Sequence, residues 1–235
     1  KDPNNNWVSP DEIENIDGKK YLKKDKTKLV TTGPSESMSK SKKNTIDPEN
    51  IISNYGADAA RLFILSDSPP EKDVQWSDEG INSSHKFIQK LWQLNQKIME
   101  EISKEHVKDS SNKLTKYTNQ FIKKMTDNLE TFSYNILIAN LHEMNNFINK
   151  EIANNYTKET IFENYSKILI TMMPIIPHFA SECISINKFD IDPAWPSYDL
   201  NMLIEENVNI VVQINGKKRA LINCKRDTTE ENLLK

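Results

Sequence analysis

Residues 35–47, SESMSKSKKNTID, combine three lysines and four serines in a stretch that contains no glycine. Lysine ammonium groups and serine hydroxyls both bind phosphate oxygens, lysine as a compact positive charge on a flexible stem. A mobile lysine raises a reaction rate most when it meets the phosphates in the transition state. The same composition is typical of a solvated basic linker, so the flanking residues must decide between the two interpretations.

The residues that follow this stretch predict two short helices that would hold it in place. Asp47 is predicted to cap the first helix, with Pro48 at the first helical position, where its missing N–H costs nothing. Gly56 ends this helix, and Asp58 is predicted to cap a second helix that stops before Pro69. The stretch therefore lies directly before two well-bounded helices, and both interpretations stay open at this point.

Residues 77–184 predict four antiparallel helices around one core, because apolar residues recur every three or four positions. Pro174 and Pro177 interrupt the fourth helix before the pattern resumes in HFASECI. The apolar positions are Ile81, Ile88, Leu91, Leu94, Ile98 and Ile102, then Leu114, Tyr117, Phe121, Met125 and Leu129, then Leu137, Leu141, Met144, Ile148 and Ile152, and finally Ile161, Tyr165, Ile168, Leu169 and Met172.

Tight-turn signals lie on either side of the helical region. Asp17-Gly18 predicts a turn between two short strands, and Asn215-Gly216 predicts a hairpin between VNIVVQI and KKRALINCK. We therefore divide the chain into a small β-rich piece at 1–36, the lysine–serine loop with its helices at 37–76, the bundle at 77–186, a linker at 187–206 and the start of a further domain at 207–235.

Composition excludes several classes of protein. The 235 residues are 37% hydrophobic and 28% charged, too apolar for a disordered chain and too polar for a membrane protein. The opening residues KDPNNNWVSP lack the apolar core of a signal peptide, and the net charge of −3 confines any nucleic-acid contact to local patches. The four histidines, His85, His106, His142 and His178, do not have the spacing of metal ligands. The two cysteines, Cys183 and Cys224, are interpreted as reduced thiols of a cytosolic protein.

Several motifs together resemble the class I aminoacyl-tRNA synthetases. Residues 37–41, SMSKS, resemble the K-M-S-K-S signature, and the following KKNTIDPENIISNYGADAARLFIL resembles the N-x-x-D-P and Y-G-A-D-x-x-R segments of the leucyl, isoleucyl, valyl and methionyl enzymes. SPPEKDVQWSDEGI is similar to the leucyl enzymes in particular, and MMPIIPHFASE, AWPSYD and VVQINGKKR resemble their later landmarks. By this resemblance the chain is identified as a C-terminal part of a member of the leucyl-tRNA synthetase family.

The resemblance implies a fold, a reaction and its ligands. The expected fold is mainly α, an antiparallel bundle of the anticodon-binding type, preceded by a small β-rich insertion and the signature loop and followed by the start of a small α/β domain. The implied reaction activates leucine with ATP and Mg²⁺ and transfers it to tRNA(Leu), in a cytoplasmic and monomeric enzyme without membrane contact. No H-I-G-H segment or leucine pocket is found in the chain, so we expect it to be inactive alone.

The resemblance also implies roles for the loop residues. Lys40 corresponds to the lysine that stabilises the pyrophosphate leaving group, Met38 would anchor the loop from beneath, and no residue of the chain is expected to bind a metal. Ser37 replaces the first signature lysine. Lys42 or Lys43 could supply the contact with ATP that this lysine would make. The expected ATP-binding loop comprises Ser37, Met38, Ser39, Lys40, Ser41 and Lys42.

Basic residues outside the loop are candidates for contacts with tRNA phosphates, although most lysines on helices are simply solvated. By resemblance the bundle would brace the tRNA without reading the anticodon, and the hairpin would begin a domain that reaches the tRNA elbow. Arg61 is expected to brace the helices that support the loop, and Trp76 and Trp92 to pack between elements. The candidate tRNA-binding residues are Lys86, Lys90, Lys97, Lys123 and Lys124 on the bundle and Lys217, Lys218 and Arg219 on the hairpin.

Two alternatives stay open. A stand-alone tRNA-binding module that lost catalysis would explain Ser37, although the intact spacing from Met38 to Asp47 argues against decay. Another class I specificity is the second alternative, and the PPEKDVQWS stretch argues against it.

Overall fold

The computed structural model describes residues 1–66, 69, 71–104, 106–189, 191–204, 207–226 and 228–229. The described elements are mostly helical, which confirms the predicted mainly α class. The strands are β1 (Ile13–Ile16), β2 (Lys19–Leu22), β3 (Asp25–Leu29), β4 (Asn207–Ile214) and β5 (Lys217–Lys225). The α-helices are α1 (Pro48–Tyr55), α2 (Ala57–Ser66), α3 (Asp78–Ile102), α4 (Lys113–Glu130), α5 (Tyr134–Glu151), α6 (Lys158–Met172) and α7 (Pro177–Ile186).

The core lies among α3, α4, α5 and α6, as the apolar periodicity predicts. Leu141, Met144 and Ile168 are completely buried there. The core is larger than four helices, because Leu62 of α2 and Phe179 of α7 belong to the same apolar cluster. Helix α2 is therefore packed into the bundle and does not merely precede it.

A polar network crosses this core. The Asn95 side-chain oxygen accepts hydrogen bonds from the Tyr165 hydroxyl and the Asn187 amide, both at 2.9 Å. Burial raises the pKa of Tyr165 well above its usual value and that of the nearby Cys183 thiol to about 12. Both groups are thus neutral at physiological pH, and Cys183 serves packing rather than chemistry.

Both predicted hairpin turns are confirmed. In each turn the two central residues have positive φ, 51° and 77° for Asp17 and Gly18 and 53° and 72° for Asn215 and Gly216. Paired positive φ values match the twist of antiparallel strands, and Asn, Asp and Gly tolerate them best. The first turn joins β1 to β2 in a three-stranded sheet, and the second joins β4 to β5 in a two-stranded one.

Helix caps explain where the elements begin. Asp47 accepts the Glu49 N–H at 3.0 Å, which confirms it as the cap of α1. The prediction that Asp58 caps its own helix is wrong, because α2 already begins at Ala57. The Asp58 carboxylate instead accepts the N–H of Phe179 at 2.6 Å, at the start of α7.

Two residues of the predicted linker contact α4. The Trp195 indole N–H donates to the Thr126 hydroxyl at 2.9 Å, and the Asp199 N–H donates to the Asn119 side-chain oxygen at 2.7 Å. These contacts tie the segment that leads to β4 to the surface of the bundle.

We expect replacement of Gly80 by alanine to destabilise the protein by about 1–2 kcal/mol, although alanine normally stabilises a helix. A Cβ atom at this position would lie 2.5 Å from Cε2 of Phe63. The Phe63 ring is buried and packs edge-on against Trp76, so it cannot retreat freely. Urea unfolding of the variant would measure the effect.

Gly33→Ala is the matched control, because a Cβ atom there would have no neighbour within 4 Å. We expect this variant to unfold at the wild-type urea concentration or slightly above it. Equal stability of the two alanine variants would contradict the predicted clash.

Candidate functional site: the lysine–serine loop and the basic surfaces

Asn44 closes the lysine–serine loop. Its side-chain oxygen accepts the Ser39 N–H at 2.7 Å, and its amide group donates to the Ser37 carbonyl at 3.3 Å. The enclosed residues Lys40–Lys42 form one 3₁₀ turn, which ends at Lys43 in the left-handed conformation with φ 52°. The loop thus has a defined shape without glycine, held by the two hydrogen bonds of Asn44.

The loop lysines differ in their surroundings. Lys42 forms an ion pair with Glu36, and its hydrogen bond and charge hold the pKa of that carboxyl below its usual value. Lys40 is exposed and forms no ion pair with any residue that the structure describes. Its ammonium group is therefore available to an anionic ligand.

Met38 and Ser37 lie at the start of the loop. Ser37 is exposed, and Met38, half exposed, lines an apolar groove of about 550 Å³ beside α1 and α2. The position of Met38 in this groove fits its predicted role as an anchor beneath the loop. The other apolar walls of the groove include Ile46, Ile51, Ile64 and Trp76.

Arg61 joins α2 to the turn between α6 and α7. Its Nε donates to the Ile175 carbonyl at 2.8 Å and its Nη2 to the Pro174 carbonyl at 2.7 Å. The bracing role predicted for Arg61 is therefore seen in its contacts, with the bundle as the braced partner. Trp76 packs edge-on against Phe63, and Trp92 packs against Phe179 in the same way.

Three of the candidate bundle lysines have partners within the protein. Lys123 pairs with Asp127 at 2.5 Å, and Lys124 pairs with Glu143 at 2.9 Å. Lys97 donates to the Asn149 carbonyl in the last turn of α5, where a positive charge stabilises the helix end. Lys97 and Lys124 thus connect their helices to α5, whereas the ion pair of Lys123 lies within α4.

Lys86 and Lys90, unlike the three lysines above, have no ion-pair partner among the described residues. Both are exposed and lie one helical turn apart on α3. Lys90 acts on His142, which stacks on Phe87 at a ring distance of 3.7 Å. Burial and the charge of Lys90 lower the pKa of His142, so the imidazole is neutral at physiological pH.

The hairpin carries a run of three consecutive exposed basic residues. The hairpin turn is followed directly by Lys217, Lys218 and Arg219, which are all exposed. None of them forms an ion pair with a residue that the structure describes. Because side chains alternate along a strand, the three point to both faces of the hairpin.

Sequence reasoning missed three of the site's contacts. The closing bonds of Asn44 lie within the resembled N-x-x-D-P segment, but the motif alone does not say what Asn44 binds. Asp58 and Arg61 contact residues more than 110 positions away in the chain. No local pattern reports partners at such separation.

Two family models match the chain. The family described as "Anticodon-binding domain of tRNA ligase" matches residues 111–234, and "tRNA synthetases class I (I, L, M and V)" matches residues 25–77. The second match contains the lysine–serine loop with α1 and α2, and the first contains α4 to β5. Since the first match alone covers more than half of the chain, the chain belongs to this family of tRNA ligases.

Curated relatives narrow the class. The chain is 36% identical to the leucine–tRNA ligase of Bartonella tribocorum over 245 aligned residues, and 38% identical to that of Orientia tsutsugamushi over 243. The alignments cover 97% and 99% of this chain but only 27% and 28% of the two relatives. The predicted resemblance to leucyl-tRNA synthetases is confirmed, and the chain spans little more than a quarter of these relatives.

A solved structure has the same fold. The crystal structure of the ternary complex of Agrobacterium radiobacter K84 agnB2 LeuRS, tRNA and LeuAMS aligns with a TM-score of 0.69 and 21% identity. The alignment covers 84% of this chain and 27% of that one. At this identity the match supports the fold.

Two further findings concern metals and membranes. Among the residues that the structure describes, no group of three or more His, Cys, Asp or Glu side chains is arranged to hold a metal ion. In the same part of the chain, no helix combines the length and apolar character needed to cross a membrane.

Proposed function

We propose that the chain acts as part of a leucine–tRNA ligase, which activates leucine with ATP and transfers it to tRNA(Leu). The observation that carries the proposal is the loop itself. Asn44 closes it, and it presents Lys40 without an ion-pair partner among the described residues. The surrounding chain is 36–38% identical to leucine–tRNA ligases over nearly all of its length.

Lys40 is proposed to stabilise the pyrophosphate that leaves when leucine attacks the α-phosphate of ATP. Negative charge builds on the leaving oxygens in this step, and a lysine that reaches them then lowers the barrier. Ser39, Ser41 and Lys42 are proposed to shape the loop and contact the phosphates. Magnesium would arrive on the ATP phosphates, a role consistent with its preference for phosphate and water oxygens over a protein cage.

We further propose that Lys86 and Lys90 on α3, and Lys217, Lys218 and Arg219 on the hairpin, contact tRNA phosphates. They are exposed and unpaired within the described residues, whereas Lys97, Lys123 and Lys124 already bind partners in the bundle. Phosphate contacts position an RNA and make its binding depend on salt, but they do not read sequence.

The division of the chain into 1–36, 37–76, 77–186, 187–206 and 207–235 belongs to the same proposal. The contacts of Trp195 and Asp199 with α4 support a linker that is docked on the bundle and so orients the hairpin. We propose a cytoplasmic, monomeric ligase as the setting.

Ser37 favours one alternative, a tRNA-binding module without catalytic activity. It places a neutral hydroxyl where the signature has its first lysine. Of the two lysines that could substitute, Lys42 is engaged with Glu36, whereas Lys43 is exposed and has no ion-pair partner among the described residues. A third possibility, another class I specificity, has no structural observation in its favour.

A chimaera tests the proposal. The segment of the Orientia tsutsugamushi ligase that matches this chain is replaced by the 235 residues, and leucine-dependent exchange of pyrophosphate with ATP is measured. We expect activity within about tenfold of the parent ligase, because the two matched segments are 38% identical over nearly all of this chain. A misplacement of the loop by about 1 Å would cost about 100-fold.

The ligase that lacks the segment is the control and should be inactive. A folded chimaera that binds tRNA(Leu) but exchanges no pyrophosphate would contradict the proposal and favour the non-catalytic module. A chimaera that supports exchange but with another amino acid would favour a different specificity.

A further inference from the structure

We propose that Asp58 and Arg61 are positioning residues, which fix the helices that carry the lysine–serine loop to the turn between α6 and α7. Through these two residues the bundle determines the position of the loop and of Lys40. This inference rests on the proposed function for its catalytic consequence, but its structural part can be tested without ATP or tRNA.

Asp58 binds the start of α7 at several points. Its Oδ2 accepts the Phe179 N–H at 2.6 Å, and its Oδ1 lies 3.4 Å from the His178 N and 2.9 Å from the His178 Nδ1. The carboxylate is only 6% exposed, so these N–H groups replace its water. The arrangement is a helix N-cap, but the capping side chain comes from another helix 120 residues earlier.

Arg61 binds the other side of the same turn. The Pro174 and Ile175 carbonyls that it bonds lie just beyond the end of α6. Pro177, which has no N–H, prevents the chain from continuing α6 and leaves carbonyls in need of donors. The planar guanidinium supplies two donors in fixed geometry, which a lysine cannot reproduce.

Asp58 and Arg61 lie three positions apart, on one face of α2. Arg61 therefore binds the residues just after α6, and Asp58 binds the start of α7. Apolar contacts of Ala59 and Phe63 with Ile81 also attach α2 to α3. Apolar contacts resist separation but tolerate sliding, whereas charge-assisted hydrogen bonds fix direction.

The fixed turn is close to the loop. Met38 of the loop, Arg61 of α2 and His178 of α7 all line the same groove. Gly56 is the single residue between α1 and α2, so a shift of α2 would carry α1 with it. The loop directly precedes α1, and its position would follow.

Pulsed electron paramagnetic resonance can measure this positioning in the chain itself. Spin labels are placed on exposed sites of α1 and α5 through Asn54→Cys and Asn146→Cys, with Cys224→Ser as background and the buried Cys183 unlabelled. The width of the label-to-label distance distribution reports how firmly α1 is held relative to the bundle. The test variants are Asp58→Asn and Arg61→Met.

Asp58→Asn keeps the shape of the side chain but turns one acceptor oxygen into a donor, which then faces an N–H of His178 or Phe179. We expect the distribution to become at least about twice as wide in both variants, because Asp58→Asn loses a buried acceptor at the start of α7 and Arg61→Met loses the two donors to the carbonyls just beyond the end of α6. Far-UV circular dichroism should show that the helices remain. Arg61→Lys should give an intermediate width.

Asp109→Asn is the matched control. The Asp109 carboxylate holds the start of α6 from a distant segment, by accepting the N–H of the cap residue Thr157 and the Thr160 hydroxyl, both at 2.7 Å. This variant should leave the distribution unchanged. An unchanged distribution in Asp58→Asn and Arg61→Met, or equal broadening in Asp109→Asn, would overturn the inference.

The catalytic consequence is read separately in the chimaera. Asp58→Asn is expected to lower pyrophosphate exchange by about tenfold or more, with tRNA affinity unchanged. Broadening without any loss of exchange would overturn the catalytic part of the inference. An inactive chimaera would instead count against the proposed function, while the resonance result would still stand.

Discussion

Replacement of Lys40 by methionine in the chimaeric ligase is expected to lower leucine-dependent pyrophosphate exchange by about 100- to 1,000-fold. Methionine is unbranched and nearly as long as lysine, and it removes the positive charge together with the N–H donors. Lys40 is exposed and has no ion-pair partner among the described residues, so the loss should not disturb the fold. Because the lysine acts mainly in the transition state, kcat should fall while KM for ATP changes little.

Lys158→Met is the control for this prediction, since Lys158 is also an exposed lysine but lies at the start of α6. It should leave exchange unchanged. Lys42→Met should show an intermediate loss, because Lys42 shares its charge with Glu36. A Lys40 variant with wild-type kcat would rule out the assigned role.

Simultaneous replacement of Lys217, Lys218 and Arg219 by serine is expected to weaken binding of the chain to tRNA(Leu) by about tenfold or more at low salt. Each cation that contacts a phosphate contributes to the salt dependence of binding. The slope of log affinity against log salt should therefore become shallower by about 2. Fluorescence anisotropy with labelled tRNA over a salt series would measure both quantities.

A second triple variant separates local contact from net charge. Lys104, Lys158 and Lys167 each form an ion pair with a neighbouring glutamate, and their replacement by serine removes the same total charge. This variant should bind tRNA only slightly more weakly than the wild type, because it changes the overall electrostatic field but removes no proposed contact. Equal losses in the two triple variants would mean that the hairpin is not a contact surface.

The sequence predicts features that depend on neighbouring residues. Asp47 followed by Pro48 specifies the start of α1, and Asn215-Gly216 specifies the hairpin turn, because each signal acts through local backbone geometry. The apolar spacing likewise predicts the bundle helices and their buried faces.

Features that depend on distant partners could not be predicted in this way. Asp58 looks like a local helix cap in the sequence, yet its acceptor oxygens serve α7. Lys97 and Lys124 look like free surface cations but bind α5. The role of such a side chain is set by what the fold brings beside it, and the chain pattern carries no record of that neighbour.

The loop shows both cases together. The lysines and serines of residues 37–42 indicate phosphate binding from composition and motif alone. Only the structure separates Lys42, paired with Glu36, from Lys40, which is exposed. Its bonds with Asn44 likewise explain how a loop without glycine holds its shape.

We propose that this chain holds tRNA as part of a leucine–tRNA ligase. Binding of the chain to leucine, serine and valine tRNAs at two salt concentrations, with an anticodon-altered leucine tRNA included, would test this claim. We predict a preference for leucine tRNA that persists when the anticodon is changed and weakens as salt rises. Equal and weak binding to all three tRNAs, abolished by salt, would contradict the claim.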